Sequence, residues 1–228
     1  MKQFTYLFLD LFTFLGPFAL SFDKKVAFYT KFKSLFISIS VTALIFIIWD
    51  ILFTRSGVWG FNPDYLTGLY VYNLPIEEIL FFIVVPYACL FIYECCLAYR
   101  ISFFKERSVE RYFYFLAVLI LIIGLLNYNK WYTFVTFCGF ALFLFISIKK
   151  IQNKNEFLSS YIISLIPFLL VNGVLTYLPV VWYNNNENLG IRIISIPIED
   201  TMYGFFLIYL TKLWMDLNKM KRGVGNVL

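Results

Sequence analysis

Leu74-Pro75-Ile76-Glu77-Glu78 and, 122 residues later, Ile196-Pro197-Ile198-Glu199-Asp200 decide how this chain is read. Each places a proline at the start of a helix, where its missing N–H costs nothing, and two acids in the first turn, where the helix dipole favours negative charge. In a water-soluble protein that is ordinary helix chemistry. Here each motif opens an apolar run: fifteen uncharged residues separate Glu78 from Glu94, and only eleven separate Asp200 from Lys212. At about 1.5 Å of rise per residue the shorter run covers roughly half of a ~30 Å hydrocarbon core, so the helices must extend past their acids. Lys212 can snorkel to an interface, whereas short carboxylates cannot reach far. Glu77, Glu78, Glu199 and Asp200 are therefore expected below the interface, facing protein or a cavity. Ionisable groups at that depth are costly and mark function.

Outward from the motifs, the composition agrees. Of 228 residues, 61% are apolar, 22% aromatic and 14% charged, against a charged share near one quarter in soluble domains. The chain is expected to be an integral membrane protein, all-α and polytopic, with about seven transmembrane helices. Apolar runs predict these over 4–22, 33–53, 75–98, 111–127, 131–148, 157–178 and 195–216. Met1–Leu20 is expected to remain as the first helix rather than act as a cleaved signal, because Asp10 interrupts its apolar run and no small-x-small site follows. Fifteen of the nineteen Lys and Arg fall in 21–34, 99–111, 149–157 and 212–228, leaving Lys2, Arg55, Lys130 and Arg192 for the other side. The positive-inside rule then puts the N-terminus outside and the C-terminus in the cytoplasm, with a bacterial inner membrane as the expected location. The net charge of +5 reflects this topology and contact with anionic lipid, not nucleic acid.

Several chemistries are excluded. There is no histidine, which removes His bases, His-ligated haem and His-rich iron sites. Cys89, Cys95, Cys96 and Cys138 lie in apolar runs without zinc-ligand spacing and read as small core residues, so no metal is expected. Gly223-Val224-Gly225 lacks the strand and helix context of a nucleotide loop, so no nucleotide cofactor is expected.

The 122-residue register extends beyond the motifs, placing Asp50 on Asn172, Tyr87 on Tyr209, Glu94 on Asp216 and Arg100 on Arg222. Because 122 residues span four crossings, this predicts one membrane domain, 1–228, built from parallel three-helix repeats near 1–100 and 128–222 with a linking helix near 111–127. The acidic pairs should meet across a central cleft. Two adjacent carboxyls in an apolar site do not easily both ionise, so each pair is expected to offer a proton donor beside an acceptor. Glu77, Glu78, Glu199 and Asp200 are thus the catalytic candidates, and loss of product is expected from Glu77→Gln or Glu199→Gln. Asp50 and Asn172 would orient the acids, with Asp10 on the same outer half. Pro75 and Pro197 set the helix starts. Glu94 and Asp216 are expected to pair with Arg100, Lys212 and Lys219. Phe81, Phe82, Tyr203, Phe205 and Phe206 follow the acids and either line a site for a cationic intermediate or simply pack.

Taken in order, Trp49-Asp50, Gly57-Val58-Trp59, Leu74-Pro75-Ile76-Glu77-Glu78 with Phe81-Phe82, Val171-Asn172-Gly173 with Leu175-Thr176, and Gly190 and Arg192 before Ile196-Pro197-Ile198-Glu199-Asp200 resemble the small membrane lycopene cyclases. Those enzymes of carotenoid biosynthesis have two three-helix halves, separate in some bacteria and fused in archaea and fungi. The resemblance covers nearly the whole chain. It implies an isomerase-type cyclisation of the linear ends of lycopene to β-ionone rings, without cofactor, on a substrate taken from the bilayer. Its Pro-x-Glu-Glu motif maps onto Pro75, Glu77 and Glu78, and the partner motif onto Pro197, Glu199 and Asp200; the second ends in Asp, so the two need not share roles. No phytoene synthase domain is expected to follow, unlike the fused fungal forms. A carotenoid hydratase of the same family would protonate likewise and then admit water. A proton-coupled transporter would need a polar path through both leaflets, whereas these acids gather on one side. A retinal photoreceptor is disfavoured because no Lys sits mid-span in the last helix, and a structural subunit is the remaining reading. The residues carry no signal for oligomeric state.

Overall fold

A computed structural model describes residues 2–104 and 106–225, with side chains described for 2–104 and 108–220. Lys105 and the side chain of Arg222 lie outside the described residues, so the predicted Arg100/Arg222 correspondence is left at the level of sequence. Seven long helices follow the seven apolar runs: α1 (Thr5–Leu20), α2 (Phe32–Arg55), α3 (Ile76–Tyr99), α4 (Glu106–Leu126), α5 (Trp131–Ser147), α6 (Lys154–Tyr177) and α7 (Ile198–Gly225). The chain is all-α in its framework, and six of the helices, α1 to α6, are long and apolar enough to cross a membrane.

α7 falls short of that measure, and its surroundings explain why. It packs along α2, α5 and α3, and nearly every residue from Glu199 to Leu213 is buried. A helix enclosed by protein does not need an apolar surface to face lipid, so it can carry charge. Lys212 and Asp216, each 1% exposed, close on one another, and the Lys212 ammonium also donates to the Gln152 carbonyl at 3.2 Å. Buried charges persist only when paired and hydrogen-bonded in this way. At the end of α3 the corresponding acid, Glu94, is met by Lys31, the residue just ahead of α2, a partner the sequence reading did not name. α7 also runs to Gly225, so Gly223-Val224-Gly225 forms its last turn rather than a loop.

The cross-packing is reciprocal. α1 lies on α3 and α5 on α7, while α2 packs on α7 and α6 on α3. α4 packs mainly on α5, where Gly124 admits the Cys138 thiol so closely that a Cβ would stand 2.7 Å from it. Two hydroxyl pairs bolt the outer helices to the inner ones: Ser21 with Tyr87 at 2.7 Å and Ser147 with Tyr209 at 2.8 Å.

Short strands, unanticipated by the apolar periodicity, organise the connecting loops. β1 (Trp59–Phe61) and β4 (Val181–Tyr183) pair antiparallel with Gly60 opposite Trp182. Gly60 and Trp182 are themselves 122 residues apart, so the ladder joins equivalent loops about its own centre. The Trp182 ring covers Gly60, and a Cβ there would come within 2.4 Å of it. The ladders β2 (Tyr70–Val71) with β3 (Leu74–Pro75), and β5 (Arg192–Ile193) with β6 (Ile196–Pro197), lead into α3 and α7.

Candidate active site

Each acidic motif is delivered by a tight turn. Tyr72 and Ile194 turn their ladders with φ of 61° and 62°, a left-handed conformation that costs a residue other than glycine about 1–3 kcal/mol and holds only because the ladder fixes it. Pro75 and Pro197 finish the ladders, and the helices start one residue later, at Ile76 and Ile198. The N–H of Ile76 bonds to the Leu69 carbonyl and that of Ile198 to the Ile191 carbonyl, both at 2.9 Å. The prolines therefore stand at the cap position instead of the first helical residue.

Within each pair the two acids then diverge. Glu77 accepts the backbone N–H of Thr67 at 2.7 Å, and Glu199 accepts that of Leu189, also at 2.7 Å, with a further bond from the Thr133 hydroxyl at 2.6 Å. Both are wholly buried and fasten the loop preceding their own helix. Glu78 and Asp200 instead line one shared cavity of about 40 Å³. The structure thus brings together one acid from each motif. The sequence reading paired the acids as donor beside acceptor within each motif; the geometry separates those neighbours.

The two cavity acids have different partners. Glu78 Oε2 accepts from the Tyr6 hydroxyl at 2.6 Å. Asp200 Oδ1 accepts from the Tyr132 hydroxyl at 2.6 Å, and its Oδ2 accepts from the Asn172 amide at 2.7 Å and the Tyr183 hydroxyl at 2.8 Å. Tyr183 lies in the loop strand β4. Burial first, and the facing Asp200 carboxylate second, hold its phenol well above the usual range, so it stays a donor at any ordinary pH.

Asn172 therefore hydrogen-bonds one acid of the second motif. Asp50, its counterpart, accepts from the Trp59 indole and, at 3.3 Å, from the Thr54 hydroxyl, and hydrogen-bonds neither acidic pair. Tyr6, Tyr132 and Tyr183 are not among the candidates that the sequence offers. Tyr6 and Tyr132 are related by 126 residues, not 122, because the link between the first two helices of the second half is four residues shorter; a search at one fixed offset passes over them. Asp10 is buried on α1, and its Oδ2 has no protein partner among the described residues.

Of the aromatic candidates, Phe81 and Tyr203 line the cavity together with Trp59. Tyr203 is boxed by Trp49 and Phe46, each with ring centroids 5.0 Å away, yet its hydroxyl has no protein partner among the described residues. Phe82, Phe205 and Phe206 lie behind the wall: Phe82 and Phe206 contact Phe46 at 6.0 and 5.6 Å, and Phe205 stacks on Tyr161 at 3.9 Å. Among the described residues no three Cys, Asp or Glu side chains stand together as a metal site. The arrangement is a buried acid pair, one member richly solvated by donors and one sparsely, beside aromatic faces.

The family described as lycopene cyclase matches residues 3–96 and 129–217, two blocks that flank α4. A bifunctional lycopene cyclase/phytoene synthase of Aspergillus niger is 37% identical over 51 residues, which is 22% of this chain and 9% of that protein. The chain thus aligns with only a small part of that relative's length. No solved structure matches.

Proposed function

The chain belongs to the lycopene cyclase family, and we propose that it closes the linear ends of lycopene, or of a related acyclic carotenoid, to β-ionone rings by proton-initiated, redox-neutral cyclisation. Glu78 delivers a proton to the terminal carbon–carbon double bond. The next double bond attacks the tertiary cation, forming the ring bond and moving the charge onto the ring. Asp200 removes the adjacent ring proton, and the new double bond forms. Atoms and electrons balance without an oxidant or reductant. Three donors favour the ionised form of Asp200, whereas Glu78 has one, and a carboxylate stabilised by several hydrogen bonds is suited to remain the base. Proton return from Asp200 to Glu78 resets the pair, and the Tyr203 hydroxyl in the same wall is offered for that transfer. Trp59, Phe81 and Tyr203 present ring faces to the developing cation.

The observation that carries this reading is the convergence of Glu78 and Asp200 on one cavity. Expression in lycopene-accumulating cells followed by pigment analysis tests it: cyclic product is expected from the native chain, and none from Asp200→Asn. Purified protein in lipid should convert lycopene without added flavin or nicotinamide, and a strict need for reduced flavin would count against the scheme. The cavity also exceeds the roughly 10–15 Å³ a water requires, which favours hydration as the second reading; a tertiary alcohol in place of a ring would establish it.

The acids are proposed to open toward the outer leaflet, from the Lys and Arg distribution. Cysteines at Asn62 and Asn186, in a background free of native cysteines, should react with an impermeant reagent from outside, and one at Lys150 should not.

A further inference from the structure

A second space adjoins the acid cavity. α1 and α6 both pack on α3, leaving between them a furrow of about 280 Å³ floored by α3. Phe12, Gly16 and Pro167 form its rim and face outward, while Val85 and Ala88 are buried in its floor. It shares Phe81, Phe168 and Asn172 with the acid cavity. Along α3 it runs from Phe81 to Ile92, about 16 Å at helix rise.

We propose that this furrow seats the apolar polyene arm of the substrate and is its lateral entrance from the bilayer, with the reacting end passing Phe168 to reach Glu78 and Asp200; this rests on the cyclase reading above. The acid cavity by itself is far smaller than the ~300–1,000 Å³ of usual ligand sites, so a substrate must extend beyond it. The furrow's side-chain donors are already engaged within the protein. Thr13 donates to the Leu9 carbonyl at 2.8 Å, Ser164 to the Ser160 carbonyl at 2.7 Å, and Asn172 to Asp200. A phosphate headgroup therefore finds no free hydroxyl or amide donor among these three side chains, and the inner end meets carboxylates that repel anionic lipid. A hydrocarbon with an apolar terminus fits; a phospholipid chain with its head does not.

The other half of the chain supplies a contrast. At the corresponding positions Gly16 is replaced by Leu142, Ala88 by Leu210, Val171 by Trp49 and Ile92 by Trp214. Trp49 packs 5.0 Å from Tyr203 and Phe143 packs 5.2 Å from Phe206. The equivalent furrow is filled, so one polyene end is processed at a time, from the α1–α6 side.

Gly16→Phe places a ring at the furrow's rim, where nothing lies within 4 Å of a Cβ, and a better helix former replaces glycine. In lipid nanodiscs, Gly16→Phe and Ala88→Phe should each raise KM for lycopene by about tenfold or more with kcat little changed. Ile48→Phe, on the exposed face of α2, should change neither. The polyene absorbance shift on binding to inactive Asp200→Asn should be lost when Gly16→Phe is added. Unchanged KM and an unchanged absorbance shift in both furrow variants would overturn the proposal while leaving the cyclase reading intact. Polyene binding that depends on Gly16, in a native chain that forms no ring, would support the furrow and remove the cyclase reading. A photoactivatable acyl lipid that labels α1 and α3 and is not displaced by lycopene would overturn the furrow's assignment.

Discussion

Glu78 and Asp200 occupy matching places in their motifs, but one accepts a single hydrogen bond and the other three. The difference traces to counterpart residues. Tyr6 and Tyr132 serve the two acids alike. Tyr183, however, has Phe61 as its counterpart, which has no hydroxyl, and Asn172 has Asp50, which bonds to Trp59 instead. On the proposed mechanism, two side-chain differences between the halves set an acid on one side and a base on the other, while the turns leading into α3 and α7 stay alike, as the φ values of Tyr72 and Ile194 attest.

The largest effect should come from removing either member. Glu78→Gln and Asp200→Asn are each expected to lower ring formation by about 10²–10⁴-fold at equal protein level in pigment assays. Near-normal turnover in either would break the comparison. A smaller loss should follow from thinning the richer side. Tyr183→Phe removes one bond to a charged group, worth about 1.5–3 kcal/mol or roughly 10–100-fold, and should lower turnover on that scale. Phe61→Tyr, which adds a hydroxyl at the matching position near Glu78, should also slow the reaction, because it favours the ionised form of the group meant to donate. If Phe61→Tyr accelerates turnover, the assignment of acid and base is reversed.

Next comes the loop ladder that joins the halves. Gly60→Ala collides with the Trp182 ring and should lower the thermal stability of the solubilised protein by about 1–3 kcal/mol, measured by the midpoint of unfolding in detergent. Trp182→Ala should restore tolerance of the substitution, since the obstructing atoms are gone. The smallest effect is expected for Glu77→Gln and Glu199→Gln. Glutamine keeps an oxygen to accept the Thr67 or Leu189 N–H, so about 1 kcal/mol of stability and less than tenfold in turnover should be lost. A collapse of turnover with retained stability would return these two acids to the chemistry.

The acidic motifs and the helical framework were legible as residue patterns, whereas the furrow between α1 and α6 was not. Apolar runs marked the seven helices because lateral burial in lipid or protein demands such runs. Charge between those runs located α7's weakness as a membrane span. The 122-residue register showed which positions correspond. Lys31, Tyr6 and Tyr132 were not legible, because a side chain's partner across 60 or more residues depends on how helices pack, and a four-residue change in one connection shifts that register.

By itself the sequence determined that this is a helical membrane protein with two matched acidic motifs, since composition and spacing act through local rules of burial and helix initiation, and its ordered motifs carried the resemblance to the lycopene cyclases. Only the tertiary structure decided which acid of each motif faces the cavity. Successive residues in a helix point about 100° apart, so Glu77 and Glu78, or Glu199 and Asp200, cannot face the same way. The choice between them belongs to the packing of α1 on α3, α5 on α7 and the two loops against each other, which turns Glu78 and Asp200 inward and leaves their neighbours to hold the chain.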